Sequence, residues 1–231
     1  MTESNPLIEQ ATAELSGAMA AITVDGDEQA GRMVGEVRRA VDHVNSQSYR
    51  AAGTAAQLYA NDEMNVVGKQ RRLSEIPADL HRATSEQLDQ AELNLDVLEG
   101  RYLEQALHHD AGQDLALHAE IQNYVAAIDK TNAAVGLVQL AGNPRYSTIM
   151  SGPLGASLVA RFGLKDPAVL RKAALQTLAT EGNAKQVAAS AALAGFARAR
   201  RVVGLTRGAR DHAAAESQRP PKREPTQAMM R

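Results

Sequence analysis

The chain has 231 residues with no Cys and no Trp, and with only two Phe and five Tyr. This composition excludes disulfides, thiolate-ligated zinc, thiol catalysis and a broad aromatic platform for stacking bases. Leu, Ile, Val and Phe together supply 47 residues, whereas Ala alone supplies 43. We therefore expect a thin hydrophobic core.

Charge is unevenly distributed along the sequence, although the formal net charge is only -2. Residues 1–142 carry 22 acidic and 10 basic side chains, whereas residues 143–231 carry 5 acidic and 15 basic side chains. This distribution is typical of a chain whose basic end meets a negatively charged partner or the acidic end of a second copy.

The apolar segments are short. Residues 1–6 contain no basic stretch ahead of an apolar one, so we expect no secretory signal. The most apolar windows, 133–142 and 187–197, are about half of the roughly 20 residues needed to span a bilayer. We expect no membrane association, and a cytoplasmic location, or the virion if the chain is phage-encoded.

The first part of the chain is predicted to form long helices. Asn5 and Pro6 are suited to the N-cap and first residue of a helix over about 6–23. A second helix opens near Asp27, and its apolar and small residues recur at spacings of three and four, as in a coiled-coil seam. These residues are Val34, Val37, Val41, Val44, Ser48, Ala51, Ala55 and Leu58. We expect this seam to fade before Leu73 and Ile76, and the helix to break at Pro77, after which a third helix begins.

A later apolar run changes phase. Residues 88–102 keep the same spacing, and a second set resumes it in a different phase. That set is Leu117, Ile121, Tyr124, Ile128, Val135 and Val138. The change falls at residues 107–113, where Gly112 and Asp114 are suited to ending one helix and capping the next. Two alternatives remain: two helices that turn back on each other, or one long helix with a discontinuity.

Residues 143–155 contain two Pro and two Gly, which predicts a hinge. Beyond it we expect a small basic domain over 156–216, and a disordered tail over 217–231. The short helices expected in that domain lie at 156–162, 167–180 and 183–203, the second of them capped by Asp166. The predicted fold is all-α, with an elongated, acidic long-helix bundle or coiled coil over 5–142.

Two patterns of metal-ligating residue types are incomplete. Residues 25–36 match a calcium loop at four positions, but Ala30 occupies the sixth, which requires Gly. His108, His109 and His118 lie near carboxylates, yet without the Glu-x-x-His spacing of di-iron bundles. The sequence also lacks a phosphate-binding loop and a serine-hydrolase elbow. We therefore expect no metal, no cofactor, no catalytic residue and no enzymatic activity.

The clearest positional signal is a basic segment without acidic residues. The residues that we expect to bind a partner are Phe196, Arg198, Arg200, Arg201, Arg207 and Arg210. Guanidinium groups and an apolar side are suited to docking on an acidic protein surface or to holding phosphates. The predicted oligomerisation surface is the valine ridge, Val34, Val37, Val41 and Val44, because so narrow a seam buries little in one chain.

Residues 157–172 have the layout of a helix-turn-helix whose second helix carries Arg171 and Lys172. The start of that helix lacks the polar side chains that read base edges. A helical hairpin without a DNA-reading role is therefore the other interpretation.

An acidic helical body, a hinge and a basic segment ending in Arg198–Arg210 form a layout similar to that of tailed-phage scaffolding proteins. The resemblance implies an assembly component whose arginines dock on a coat subunit. We predict a non-enzymatic, homo-oligomeric structural or assembly protein with a protein partner. The alternative is a nucleic-acid-binding accessory factor for packaging, partition or transfer.

Overall fold

A computed structural model of the chain describes residues 5–24, 26–108 and 114–220. Over these ranges the chain forms nine α-helices and no β-strand, which confirms the predicted all-α class. The helices are α1 (Pro6–Ala21), α2 (Glu28–Ala60), α3 (Val66–Ala106), α4 (Asp114–Ala126), α5 (Ala133–Ala141), α6 (Ser147–Met150), α7 (Pro153–Arg161), α8 (Ala168–Glu181) and α9 (Ala184–Glu216). None of these described helices combines the length and apolar character needed to cross a bilayer.

Helix α1 begins as the sequence predicts. The Asn5 side-chain oxygen accepts a hydrogen bond from the backbone N–H of Leu7 at 3.1 Å, which satisfies one of the amides left open in the first turn. Pro6 is the first helical residue, where its missing N–H costs nothing.

The turn between α2 and α3 lies where the apolar seam of α2 runs out. The seam would next require Asp62 and Asn65 on the buried face, and α2 instead ends at Ala60. The Asn65 side-chain oxygen accepts a hydrogen bond from the N–H of Gly68 at 2.7 Å and so caps the first turn of α3.

The predicted helix break at Pro77 is wrong, because α3 passes through this residue. Proline inside a helix costs about 3 kcal/mol. Its neighbours Leu73, Ile76 and Leu80 are 4–9% exposed and pack with residues of α2 and α9. Each such burial contributes about 2 kcal/mol, so the packing of this segment outweighs the cost of Pro77.

Two compact units can be distinguished from their internal contacts. Unit 1 comprises Met1–Ala20, Glu28–Asp96 and Ala197–Arg231, and unit 2 comprises Ala21–Asp27 and Val97–Phe196. This division differs from the predicted boundaries near residues 142 and 156. Most of the predicted basic domain lies in unit 2, whereas its last part, 197–216, lies with α1, α2 and the first part of α3.

Within unit 1, α2 and α3 form an antiparallel pair. Near the turn the Lys69 ammonium donates to the Tyr59 carbonyl at 3.4 Å, and far from the turn the Asn94 amide donates to the Glu36 carboxylate at 2.9 Å. Between these points the cluster of buried side chains is rich in alanine, which lets helices approach closely. It comprises Ala51, Ala55, Leu58, Leu73, Ile76, Leu80, Ala213 and Ala214.

Helix α1 runs antiparallel to the second half of α9. The Asn5 side-chain amide donates to the Ala209 carbonyl at 3.2 Å, and further along α1 the Glu14 carboxylate lies 3.5 Å from the Arg201 guanidinium. The residue number therefore rises on one helix as it falls on the other.

One hydrophobic cluster of unit 2 is built from short helices. Its buried residues come from α4, α5, α6, α7 and α8, and they are Ile121, Val125, Leu137, Leu140, Ala141, Ile149, Met150, Leu158, Val159 and Leu170. Gly155 is needed at the junction of α6 and α7, because a Cβ there would lie 1.8 Å from the carbonyl oxygen of Met150.

The predicted continuous run over 117–138 is wrong. Helix α4 ends at Ala126, and a 3₁₀ turn capped by Asp129 separates it from α5. Tyr124 and Val135 are 47% and 59% exposed, while Val125 and Leu137 are buried, so the buried residues do not follow the predicted spacing. Residues 84–141 are likewise not one helix, since α3 ends at Ala106. We expected the phase change at residues 107–113, and 109–113 lie outside the described residues.

The last helices differ from the prediction mainly in length. The Asp166 carboxylate accepts from the Ala168 N–H at 2.8 Å, which confirms the predicted cap. Helix α9 continues to Glu216, 13 residues beyond its predicted end. Of the predicted tail, 221–231 lies outside the described residues. The segment expected as a hinge contains α6 and the start of α7.

If the valine ridge is covered within one chain, Val37→Ala should lower the free energy of unfolding by about 2 kcal/mol, because it removes two buried methyl groups and leaves a cavity. At protein concentrations of about 1 µM and below, where association through other surfaces is negligible, the urea midpoint of both proteins should be independent of protein concentration. Val135→Ala, at a position 59% exposed, is the control and should change stability by less than about 0.5 kcal/mol. A midpoint that still rises with protein concentration in this range would mean that the ridge is buried between chains.

A matched pair of glycine substitutions tests the junction in unit 2. Gly155→Ala should destabilise the protein by about 3 kcal/mol, because the neighbouring atom is a backbone oxygen that cannot rotate away. Gly204→Ala in α9 meets no atom within 4 Å and should stabilise by about 0.5–1 kcal/mol through helix propensity. Thermal unfolding followed by circular dichroism measures both, and equal effects would contradict the packing described at Gly155.

Candidate functional site

The structure places the predicted oligomerisation surface inside unit 1. Val34 is 6% exposed, and Val37, Val41 and Val44 are fully buried within the single chain. The spacing of the ridge is as predicted, but other parts of the same chain supply its covering. An oligomer of this fold would therefore need a different surface.

Phe196 is a core residue of unit 2, and not an exposed docking residue. It is 1% exposed, and its ring meets that of Tyr102 edge to face, with 5.9 Å between centroids. The Tyr102 hydroxyl donates to the Ile22 carbonyl at 3.1 Å, and burial raises the pKa of this hydroxyl. At Phe196, the apolar side of the basic segment therefore packs inside the chain and is not exposed to a partner.

Two of the predicted docking arginines pair with carboxylates of other helices in unit 1. The Arg200 guanidinium lies 2.7 Å from the Asp96 carboxylate on α3, and that of Arg201 lies 3.5 Å from Glu14 on α1. Both arginine side chains remain 42–60% exposed, so each pair contributes at most about 1 kcal/mol.

Arg207 faces two carboxylates one turn apart on α3. Its guanidinium lies 3.3 Å from Asp89 and 3.0 Å from Glu92. Partial burial lowers the pKa of Arg207, but the hydrogen bonds and charges of the two carboxylates outweigh this effect and raise it above the ordinary value. Two carboxylates on another helix therefore face Arg207, whereas Arg200, Arg201 and Arg210 each have one ion-pair partner given above or below.

Arg210 is almost completely covered, with 6% of its side chain exposed. It donates to the Asp211 carboxylate and, at 3.3 Å, to the Ser85 hydroxyl on α3. Arg198 is the exception in the segment, since it is exposed and has no ion-pair partner among the described residues.

The opposing charges of the sequence cancel within unit 1. The described residues of this unit include 15 acidic and 14 basic side chains. Those of 5–20 and 28–96 are 13 acidic and 8 basic, whereas those of 197–220 are 2 acidic and 6 basic. The basic second half of α9 therefore meets the acidic helices of its own chain.

A group of cations without carboxylate partners within the described ranges lies on α7, α8 and the turn between them. We call Arg161, Lys165, Arg171 and Lys172 the α7–α8 basic surface. All four are exposed, and none has a carboxylate partner in the described part of the chain. Arg161 lies over the Phe162 ring at 5.8 Å. From the sequence, only Arg171 and Lys172 were predicted to lie on a basic helix. The scarcity of acidic residues around all four cations could have indicated the whole surface.

The histidine cluster does not form a metal site in the described residues. Among them, no group of three His, Asp or Glu side chains is close enough to hold a metal ion. The carbonyl of His108 accepts from the Gln186 amide at 3.0 Å, whereas His109 lies outside the described residues. In the calcium-like segment, Asp27 lies 3.0 Å from the Arg101 guanidinium.

No protein-family model, no curated protein and no solved structure matches this chain.

Charge reversal at two positions of α9 tests the pairing described here. Arg207→Glu should destabilise the protein by about 1 kcal/mol, because it places a carboxylate beside Asp89 and Glu92. Arg198→Glu is the matched control and should stay within about 0.5 kcal/mol. Adding Asp89→Arg to Arg207→Glu should recover part of the loss in urea unfolding. Equal effects of the two single reversals would contradict the pairing.

Proposed function

We propose that this chain is a non-enzymatic structural or assembly protein that self-associates and docks a negatively charged protein surface through the α7–α8 basic surface. The observation that carries the proposal is the contrast between the two groups of cations. Arg200, Arg201, Arg207 and Arg210 have carboxylate partners in unit 1, whereas the four cations of the α7–α8 basic surface have none in the described residues.

The proposed docking surface is basic, as the sequence predicts, but it consists of the α7–α8 basic surface and not of the arginines of α9. Forming a new ion pair with an already matched arginine requires breaking an existing one. An unmatched exposed cation carries no such cost, and its field attracts an acidic partner over about one Debye length, roughly 8 Å at physiological salt. Arg161, Lys165, Arg171 and Lys172 are therefore better suited to docking than Arg200 to Arg210.

Exposed apolar side chains support self-association. Eight large hydrophobic residues of the described chain are 47–76% exposed. They are Tyr49, Val66, Val67, Leu93, Val97, Tyr124, Val135 and Val169. A coiled-coil contact through the valine ridge is not part of this proposal, because the ridge is already covered. Contacts through adjacent exposed residues, such as Val66 and Val67, take its place.

A nucleic-acid accessory factor is the second candidate. It is favoured by the order α7, turn and α8, with Gly163 in the left-handed region at φ 70° in the turn and Arg171 and Lys172 on the second helix. This is the layout of a helix-turn-helix, in which the second helix enters the major groove. Phosphate contacts by these cations would make binding strongly dependent on salt.

Sedimentation equilibrium with and without a DNA duplex separates the two candidates. The assembly proposal predicts that the average mass rises above the 24.6 kDa of one chain as the protein is concentrated without DNA, over a range of about 5 to 500 µM. A mass that stays at one chain throughout would contradict it. The second candidate would be favoured if the chain binds the duplex and the logarithm of its association constant falls linearly with the logarithm of salt concentration.

A further inference from the structure

The turn between α2 and α3 presents an apolar and acidic projection, residues 61–67, which we call the α2–α3 tip. Val66 and Val67 are 69% and 76% exposed, the highest values among the large hydrophobic residues described. Asp62 and Glu63 are exposed beside them and have no ion-pair partner in the described chain. The tip therefore offers two valines for burial and two negative charges for pairing.

Side-chain hydrogen bonds hold the α2–α3 tip in one conformation. The Asn61 side-chain oxygen accepts from the N–H groups of Glu63 and Met64 at 3.0 and 3.3 Å. The Asn65 side-chain oxygen accepts from the Gly68 N–H. A segment that is already ordered loses little conformational entropy on binding, so its exposed valines can be used efficiently in an interface.

The nearest cations on α3 are Lys69, Arg71 and Arg72, and none of them forms an ion pair with Asp62 or Glu63 in the described chain. Lys69 donates to the Tyr59 carbonyl at 3.4 Å, and Arg71 lies 3.4 Å from Glu75 in the next turn of the helix. Residues 61–68 themselves contain two acidic side chains and no basic one.

A groove with a volume of about 390 Å³ lies beside the α7–α8 basic surface. Its apolar wall comprises Met150, Pro153, Ala156, Pro167 and Ala168. Arg171 lines the groove and Lys172 is its neighbour in α8. Asp166 also lines it, but this carboxylate already accepts the hydrogen bond that caps α8. We call this site the α7–α8 groove.

We propose that the α2–α3 tip of one chain docks in the α7–α8 groove of a second copy. Val66 and Val67 cover the apolar wall, while Asp62 and Glu63 pair with Arg171 and Lys172. The inference rests on the self-association proposed above and names the two surfaces that produce it.

A second copy fits the groove because one chain carries both complementary surfaces at equal concentration. The tip and the groove are different patches, so a single contact leaves one tip and one groove free on the resulting pair. Such contacts close into a ring or a reciprocal dimer, or continue as a filament. Growth beyond a dimer would mean that the contact is not reciprocal.

Paired charge reversals test the contact directly. Asp62→Lys with Glu63→Lys reverses the tip, and Arg171→Glu with Lys172→Glu reverses the groove. Each double variant alone should raise the Kd of self-association by about tenfold or more, because like charges then face each other. An equimolar mixture of the two should associate again, since each tip meets a groove of opposite charge. Sedimentation equilibrium at low and high salt measures all of these.

Two control variants separate the interface from general effects of charge and folding. Arg38→Glu with Arg39→Glu reverses an adjacent exposed pair on α2 and should leave the Kd unchanged. Val66→Ser with Val67→Ser should weaken association, whereas Val135→Ser, at another exposed position, should not. Circular dichroism melts confirm that every variant is folded.

The outcomes separate this inference from the function on which it rests. A wild-type chain that remains monomeric at every concentration contradicts both. If the wild type associates and the reversed variants associate equally tightly, or if their mixture fails to recover, the interface lies elsewhere and only this inference fails. Loss of duplex-DNA binding by the groove variant, with unchanged self-association, would identify the groove as a nucleic-acid surface and overturn the proposal.

Discussion

The arrangement of unit 1 depends on the packing of the basic half of α9 against the acidic faces of α1 and α3. Its exposed ion pairs contribute at most about 1 kcal/mol each, which is too little to account for folding. Burial of the seam of α9 contributes more, with Ala199, Val202, Val203 and Thr206 at most 1% exposed. The ion pairs select the register, because a shift of one turn would move Arg207 away from its carboxylates.

This cancellation of charge determines which surfaces are left for partners. The arginines of residues 200–210 and the valine ridge both serve the fold, so neither is a free surface in the single chain. The exposed features that are left include four cations near α7 and α8 without carboxylate partners in the described parts of the chain, and two exposed valines beside two carboxylates. An assembly function for this chain depends on these features and not on its most conspicuous sequence patterns.

The sequence predicted features that depend on neighbours within a few turns of helix. The caps at Asn5 and Asp166 and the buried spacing of the valine ridge belong to this class. The sequence could not show what covers that ridge, because the same spacing of valines is expected whether the ridge packs against its own chain or against a second copy. The break predicted at Pro77 was wrong because the energetic cost of proline in a helix is offset here by burial against residues that are distant in sequence. The carboxylate partners of Arg207 could not be found from the sequence, because Asp89 lies 118 residues away.

Spin labelling tests the intrachain pairing of α3 and α9 most directly. The chain has no Cys, so labels at Leu93→Cys and Gly204→Cys would be the only ones, and both positions are exposed in unit 1. Packed helices lie about 8–10 Å apart, so we expect an interspin distance below about 20 Å. The distance should persist when the labelled protein is diluted into an excess of unlabelled chain. Its disappearance on dilution, or a longer distance throughout, would contradict the account.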